Sequence, residues 1–145
     1  MLGLIQRVSY AHVEVNGDKV GEIGHGILLL LGIQVGDTEE NVDRLQDKVL
    51  QYRIFPDEQG RMNLNVEQVG GGLLVVSQFT LAANTRKGLR PSFTSAAAPE
   101  QAEKLYNYFI SRAEHLYPDV ASGIFGADMQ VSLCNDGPVT FLLEG

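Results

Sequence analysis

The chain has 145 residues, the size of one domain and long enough to bury a sizeable core without disulfide or metal staples. Its 18 acidic residues against 11 basic ones give a net charge of −7, which argues against a surface that follows a long nucleic-acid backbone through many phosphate contacts. The lone cysteine, Cys134, excludes an internal disulfide and fits a reducing compartment.

The segment from Met1 to Arg7 lacks the charged start and long apolar centre of a secretory signal, and the longest apolar run, Ile27 to Ile33, is too short to span a bilayer. The expectation is a soluble, cytoplasmic protein in which residues 1–145 form a single domain, with no membrane partner.

In chain order, residues 2–16 alternate imperfectly, with Leu4, Val8, His12, Val13 and Val15 among polar neighbours, as half-buried strands do. Asn16-Gly17-Asp18 reads as a hairpin turn, because Asn and Gly tolerate the positive φ that tight turns demand. The chain returns through 19–23, turns at Gly24-His25-Gly26, and enters Ile27 to Ile33, predicted to be a central strand covered on both faces. From Thr38 the period changes: Val42, Leu45, Val49 and Tyr52 recur at helical spacing. Asp37 and Glu40 resemble a capping box for this helix, and Pro56 is expected to end it. A turn at 57–60 leads to a short strand around 62–66.

Gly70-Gly71-Gly72 turns the chain sharply into a second apolar run, Leu73-Leu74-Val75-Val76. The triple glycine is not a phosphate cradle, since no lysine follows at P-loop spacing and no helical pattern begins there. Residues 83–98 form a loop rich in polar and small residues, and loops this long in compact domains tend to be functional. Within it Phe93 reads either as a core anchor or as a base-stacking aromatic. Pro99 suits a first helical position, and Ala102, Leu105, Phe109, Ala113 and Leu116 make an apolar stripe that stops near Tyr117-Pro118. Two strands are predicted at the end, 129–134 and 139–143, separated by Asn135-Asp136-Gly137-Pro138. The tally is a three-layer α/β/β arrangement, mostly antiparallel, with two main helices on one face. Several apolar strands in so small a domain make edge pairing into a homodimer plausible.

The apolar run at 73–76 becomes polar abruptly at Ser77-Gln78-Phe79-Thr80. A buried strand end holds polar groups rigidly, so this is a site-like position; the alternative is that Ser77 and Thr80 only tie off backbone groups at a turn. Arg86, Lys87 and Arg90 follow within a few residues. On an acidic chain they form either a solvated loop or a place to hold one or two phosphates. His12, His25 and His115 show no paired spacing with one another or with Cys134, so no metal and no cofactor is expected. No glycine elbow surrounds Ser77 to suggest a Ser-His-Asp triad. Composition and spacing reach no further than a soluble, enzyme-like α/β domain.

Two separated motifs extend the reading. Ser77-Gln78-Phe79-Thr80-Leu81 and Asn135-Asp136-Gly137-Pro138-Val139-Thr140 closely resemble the D-aminoacyl-tRNA deacylase family, formerly called D-tyrosyl-tRNA deacylase. The resemblance runs through Gln6-Arg7-Val8, Tyr52-Arg53-Ile54-Phe55 and Gly60-Arg61-Met62-Asn63, with no departure within either motif. It implies hydrolysis of the ester joining a D-amino acid to the 3′-terminal ribose of tRNA, with glycyl-tRNA a further substrate and L-aminoacyl substrates rejected. It also implies a homodimer with the active site at the subunit interface, where Ser77, Gln78, Phe79 and Thr80 of one subunit face a cis Gly137–Pro138 of the other. On this comparison Arg7 supports the Gly-Pro turn; Arg86, Lys87 and Arg90 follow the Ser77–Thr80 segment closely enough to meet phosphates of the tRNA acceptor end, and that is the role expected of them. The rival readings are a non-catalytic dimeric binding module and a general esterase with a threonine nucleophile.

Overall fold

In the computed structural model, which describes residues 1–145, two apolar strands lie side by side in parallel at the centre: β3 (Gly26–Gly32) and β6 (Gly72–Ser77). Strand side chains alternate between faces, and here each face meets its own core. Ile27, Leu29, Leu31, Leu73 and Val75 pack toward the two helices, whereas Leu28, Leu74 and Val76 pack the other way. That is why neither run shows a polar position before Ser77.

The helices are α1 (Glu39–Gln51) and α2 (Pro99–Leu116), and both cover the same face, with Leu45, Val49, Leu105 and Phe109 fully or almost fully buried against it. They are joined through Gln46, which is completely buried: its amide donates to the Phe109 carbonyl (2.8 Å) and accepts from Arg112 (2.7 Å). Arg112 also reaches the carboxylates of Asp43 and Asp47, each at 3.0 Å.

The opposite face is covered by chain folded back from β1 (Leu2–Val15). The first half of β1 pairs antiparallel with β3; its second half pairs with β2 (Asp18–Ile23) and brings Ala11, Val13 and Ile23 over Leu28 and Leu74. The sheet runs β2-β1-β3-β6-β7, where β7 is the short strand Val120–Ser122, and β8 (Gln130–Glu144) lies along the other edge of β1. A separate antiparallel pair, β4 (Phe55–Pro56) and β5 (Met62–Leu64), sits apart from this sheet. Only the β3–β6 and β6–β7 pairings are parallel, so the sheet is mostly antiparallel, with helices on one side and folded-back strands on the other.

Three local expectations change. The two terminal strands are one: 130–135 and 140–144 both pair with β1, and residues 136–139 bulge out between them instead of separating two strands. The N-cap of α1 is Thr38, whose backbone N–H donates to Asn41 Oδ1 at 2.8 Å. Asp37 cannot serve, because its carboxylate accepts from the Met1 ammonium (2.8 Å) and the Gln34 N–H (2.7 Å). Finally, α1 stops at Gln51, where Tyr52 is already extended, and Pro56 lies in β4.

The β3–β6 pair is closest at its start, where a methyl added at Gly26 would lie 2.0 Å from the Gly72 carbonyl oxygen. Gly24, two residues earlier, has nothing within 4 Å of that position. Gly26→Ala is therefore expected to lower the free energy of unfolding in urea by about 3 kcal/mol or more, the upper range for overpacking, and Gly24→Ala to change it by less than about 1 kcal/mol.

Candidate functional site

The central strand pair ends where polar side chains begin. Ser77 is level with Leu31, and the Gln78 N–H donates to the Leu31 carbonyl at 2.8 Å. The chain then coils into a single 3₁₀ turn, Phe79–Ala82, opened by a Leu81 N–H to Gln78 carbonyl bond of 3.1 Å. Gly32 leaves room for it: a side chain there would lie 3.1 Å from Leu81 Cβ and 3.3 Å from the Gln78 carbonyl. Because i→i+3 bonding begins at Leu81, the Phe79 and Thr80 N–H groups precede it and have no acceptor within the turn.

The Thr80 hydroxyl accepts from the Gln78 side-chain amide at 2.5 Å, and no acidic or basic side chain hydrogen-bonds to it. Its environment therefore supplies no base. Phe79 is 61% exposed and its ring packs on Phe93, centroids 5.2 Å apart. Phe93 is itself 42% exposed, so it is a surface partner of Phe79 rather than a core anchor.

Beside this turn opens a cavity of about 430 Å³. Ser77, Gln78 and Phe79 form one wall, and Phe125, Asp128 and Met129 belong to the other. The second wall was not singled out in the sequence; its one local signal is Phe125-Gly126-Ala127, where Gly126 has φ +78° and breaks the chain between β7 and β8. Tyr106 braces it from α2: its hydroxyl donates toward the Gly123 (3.0 Å) and Val75 (3.3 Å) carbonyls, and its ring meets Phe125 at 5.7 Å. Burial pushes this phenol up to about 12, so it remains an uncharged donor at neutral pH. Two other clefts lie against α2: one shares Tyr106 and Phe125 with this wall and runs past Glu103 and Glu114, the other passes Tyr108 and His115, and neither is lined by Ser77, Gln78, Phe79 or Thr80.

Gly137 and Pro138 are exposed on β8, and the bond between them is cis. Arg7, with only 11% of its side chain exposed, donates through Nε to the Asp136 carbonyl (2.9 Å) and through Nη1 to the Ile54 carbonyl (2.7 Å). Its guanidinium thus ties the start of the Gly-Pro segment to the chain following α1. Within one protomer this segment does not meet Ser77–Thr80. It lies level with Arg7 and Ile27, four residues along β3 from Leu31, and three strand steps from β6. At about 4.8 Å per strand and about 3.3 Å per residue, the separation is on the order of 20 Å.

Arg86, Lys87 and Arg90 are exposed on a loop that closes through two backbone bonds between Asn84 and Ser92, of 2.8 and 3.1 Å. The loop follows the 3₁₀ turn directly, and none of its three cations forms an ion pair, although Lys19, Arg44 and Arg112 all do.

Known proteins match this chain in sequence and in fold. The family described as D-Tyr-tRNA(Tyr) deacylase matches residues 4–144. A protein named D-aminoacyl-tRNA deacylase from Cellvibrio japonicus (strain Ueda107) is 65% identical over 144 residues, covering 99% of each chain. One of the same name from Pseudoalteromonas translucida (strain TAC 125) is 62% identical over 143 residues, again covering 99% of each. Among solved structures, one described as "c-Myc DNA Unwinding Element Binding Protein" is 41% identical with a TM-score of 0.95, covering 100% of this chain and 99% of its own. Another, described as a probable eukaryotic D-amino acid tRNA deacylase, shares the fold at a TM-score of 0.77 and 20% identity, covering 99% of this chain and 98% of its own. A match over nearly every residue, at this identity, means that the chain belongs to the D-Tyr-tRNA(Tyr) deacylase family.

Proposed function

We propose that this chain hydrolyses the ester of D-aminoacyl-tRNA, releasing free tRNA and the D-amino acid, and that residues 1–145 act as one catalytic domain in the cytoplasm. The observation that carries the chemistry is the pair of N–H groups at Phe79 and Thr80, without an acceptor in the 3₁₀ turn that begins at the cavity-lining Phe79. Water adds to the ester carbonyl carbon, the carbonyl oxygen becomes an oxyanion, and the water's proton passes to the ribose 2′-hydroxyl oxygen as that hydroxyl gives up its own. The intermediate then collapses, the bond to the ribose 3′-oxygen breaks, and that oxygen takes the proton relayed through the 2′-hydroxyl. An ester carries its own good leaving group, so stabilising the oxyanion is the enzyme's main task. One such donor is typically worth about 3–4 kcal/mol. An unassisted hydroxyl is a poor nucleophile at neutral pH, and Thr80 has only the Gln78 amide beside it. The attacking group is therefore a water, helped by the adjacent ribose 2′-hydroxyl, and Ser77 and Gln78 shape the pocket around it.

Chirality is judged by main chain. Pockets that read side chains discriminate by only about 1–3 kcal/mol per methylene and would have to be rebuilt for each D-amino acid. A clash against the α-carbon substituents needs no knowledge of the side chain. Gly137 lets main chain approach closely and Pro138 restricts its direction; L-substrates are excluded there, while achiral glycine passes. Since the Gly137-Pro138 segment lies on the order of 20 Å from its own protomer's Ser77–Thr80, the wall comes from a second copy. The working enzyme is thus a homodimer with its site at the subunit interface, and Arg7 supports the Gly-Pro segment from behind. Arg86, Lys87 and Arg90 are the unpaired cations nearest the site in sequence, and they hold phosphates of the tRNA acceptor end.

Thr80→Ala keeps the backbone N–H and is expected to retain activity on D-tyrosyl-tRNA to within about tenfold. Loss of about 1,000-fold at an unchanged melting temperature would instead make the hydroxyl the nucleophile. Replacing Arg86, Lys87 and Arg90 together by Glu should weaken tRNA binding and flatten the slope of log K against log salt by about 2–3, measured by filter binding across a salt series. An unchanged slope would leave these residues without a role in binding.

A further inference from the structure

The bulge that carries Gly137 and Pro138 is held in an unusual way. Between the pairs Thr140↔Gln6 and Asn135↔Val8, β1 contributes one residue, Arg7, and β8 contributes four, 136–139. Ladder bonds cannot match four residues to one, so the bulge depends on side chains for its shape. At its start Arg7 takes the Asp136 carbonyl. At its end the bonds belong to Asn135: Oδ1 accepts from the Val139 N–H at 2.7 Å, and Nδ2 donates to Thr140 Oγ1 at 3.0 Å. Gln6 Nε2 reaches the same Thr140 oxygen from β1 at 3.3 Å.

We propose that Asn135 is a positioning residue for chiral rejection: its side chain spans the bulge of β8 and fixes the direction in which Gly137 and Pro138 meet the substrate. The inference rests on the deacylase reading given above and extends it to a residue outside the Gly-Pro dipeptide. Asn135 is the last paired residue before the bulge and is bonded to the two residues that leave it, so its amide closes a ring with Gly137 and Pro138 exposed at the apex. Both halves of the amide are used. A carboxylate of the same length supplies the acceptor for Val139 but no N–H for Thr140, and a serine hydroxyl is shorter by one atom.

Rejection by clash works only if the wall does not yield when an L-substituent presses on it. The apex has little slack once the ring is closed, since a methyl at Gly137 would already lie 2.6 Å from Val139 Cγ2 and 3.2 Å from Arg7 Nη2. With Asn135 truncated, the Val139 N–H loses its acceptor and Thr140 is left with Gln6 alone, so nothing spans the bulge from one side to the other and its end is held less tightly than its start.

The test compares release of D-tyrosine and of L-tyrosine from the corresponding tyrosyl-tRNAs by the full-length protein, its Asn135→Ala, Asn135→Asp and Thr140→Val variants. The readout is the L-to-D rate ratio, which a general loss of stability leaves unchanged because it lowers both rates alike. It should rise about tenfold or more in Asn135→Ala, less in Asn135→Asp, which keeps the Val139 bond, and measurably in Thr140→Val, which removes the hydroxyl but keeps the β-branched shape. If the wild type releases D-tyrosine and the ratio of the variants equals its own, the inference is overturned and the deacylase reading stands. If the wild type releases no D-tyrosine, the deacylase reading falls and the inference with it. Should Asn135→Ala fail to fold, the Thr140→Val ratio decides.

Discussion

Burial of β3 and β6 on both faces is the constraint from which the site follows. Leu28, Leu29, Leu73, Leu74 and Val75 are all fully buried, so neither strand has a position at which a polar side chain is tolerated along that length. Polar groups first become possible where the pair runs out, at Ser77. The chain must leave the sheet there, and Gly32 on the neighbouring strand lets it do so as a tight 3₁₀ turn. A turn that starts so abruptly has N–H groups with no acceptor behind them in the turn, and Phe79, the first of its residues, lines the cavity. Apolar packing thus leaves, at its own edge, backbone donors without a partner in the turn, which is what the proposed oxyanion stabilisation calls for.

The other half of the proposed site is built on the opposite logic. β8 is paired along most of its length with β1, and the bulge is the stretch where β8 has more residues than β1 can pair. The surplus chain is pushed out to solvent, and its backbone groups are recovered by Arg7 and Asn135 instead of by a neighbouring strand. The result is exposed main chain that is nevertheless held at both ends. Such an element serves better as a steric wall than a mobile loop would, and its distance from its own Ser77–Thr80 segment makes a second copy part of the proposal.

Charge is distributed to suit this division. The helix pair is locked by Arg112 among Gln46, Asp43 and Asp47, on the side away from β1's hairpin with β2. The unpaired cations Arg86, Lys87 and Arg90 instead follow the 3₁₀ turn, on a chain whose net charge is −7. An acidic protein can therefore present a small cationic loop without becoming a general polyanion binder.

Periodicity in the sequence was enough to determine β3, β6 and both helices, because each reports locally which of its positions is buried. The step from Val76 to Ser77 was legible for the same reason, and the two motifs together pointed to the family. What the sequence left open depends on partners remote along the chain. That the runs at 130–134 and 140–144 form one strand follows only from their sharing β1. That Thr38 caps α1 follows from Asp37 being taken by the Met1 ammonium and Gln34. The cavity wall at Phe125–Met129 exists because Tyr106 braces it from α2, and the roles of Arg7 and Asn135 in closing the bulge appear only once strand register is known. A residue's burial pattern is written in its near neighbours, whereas pairing, register and cavity walls are set by contacts between distant segments, and those only the tertiary structure decides.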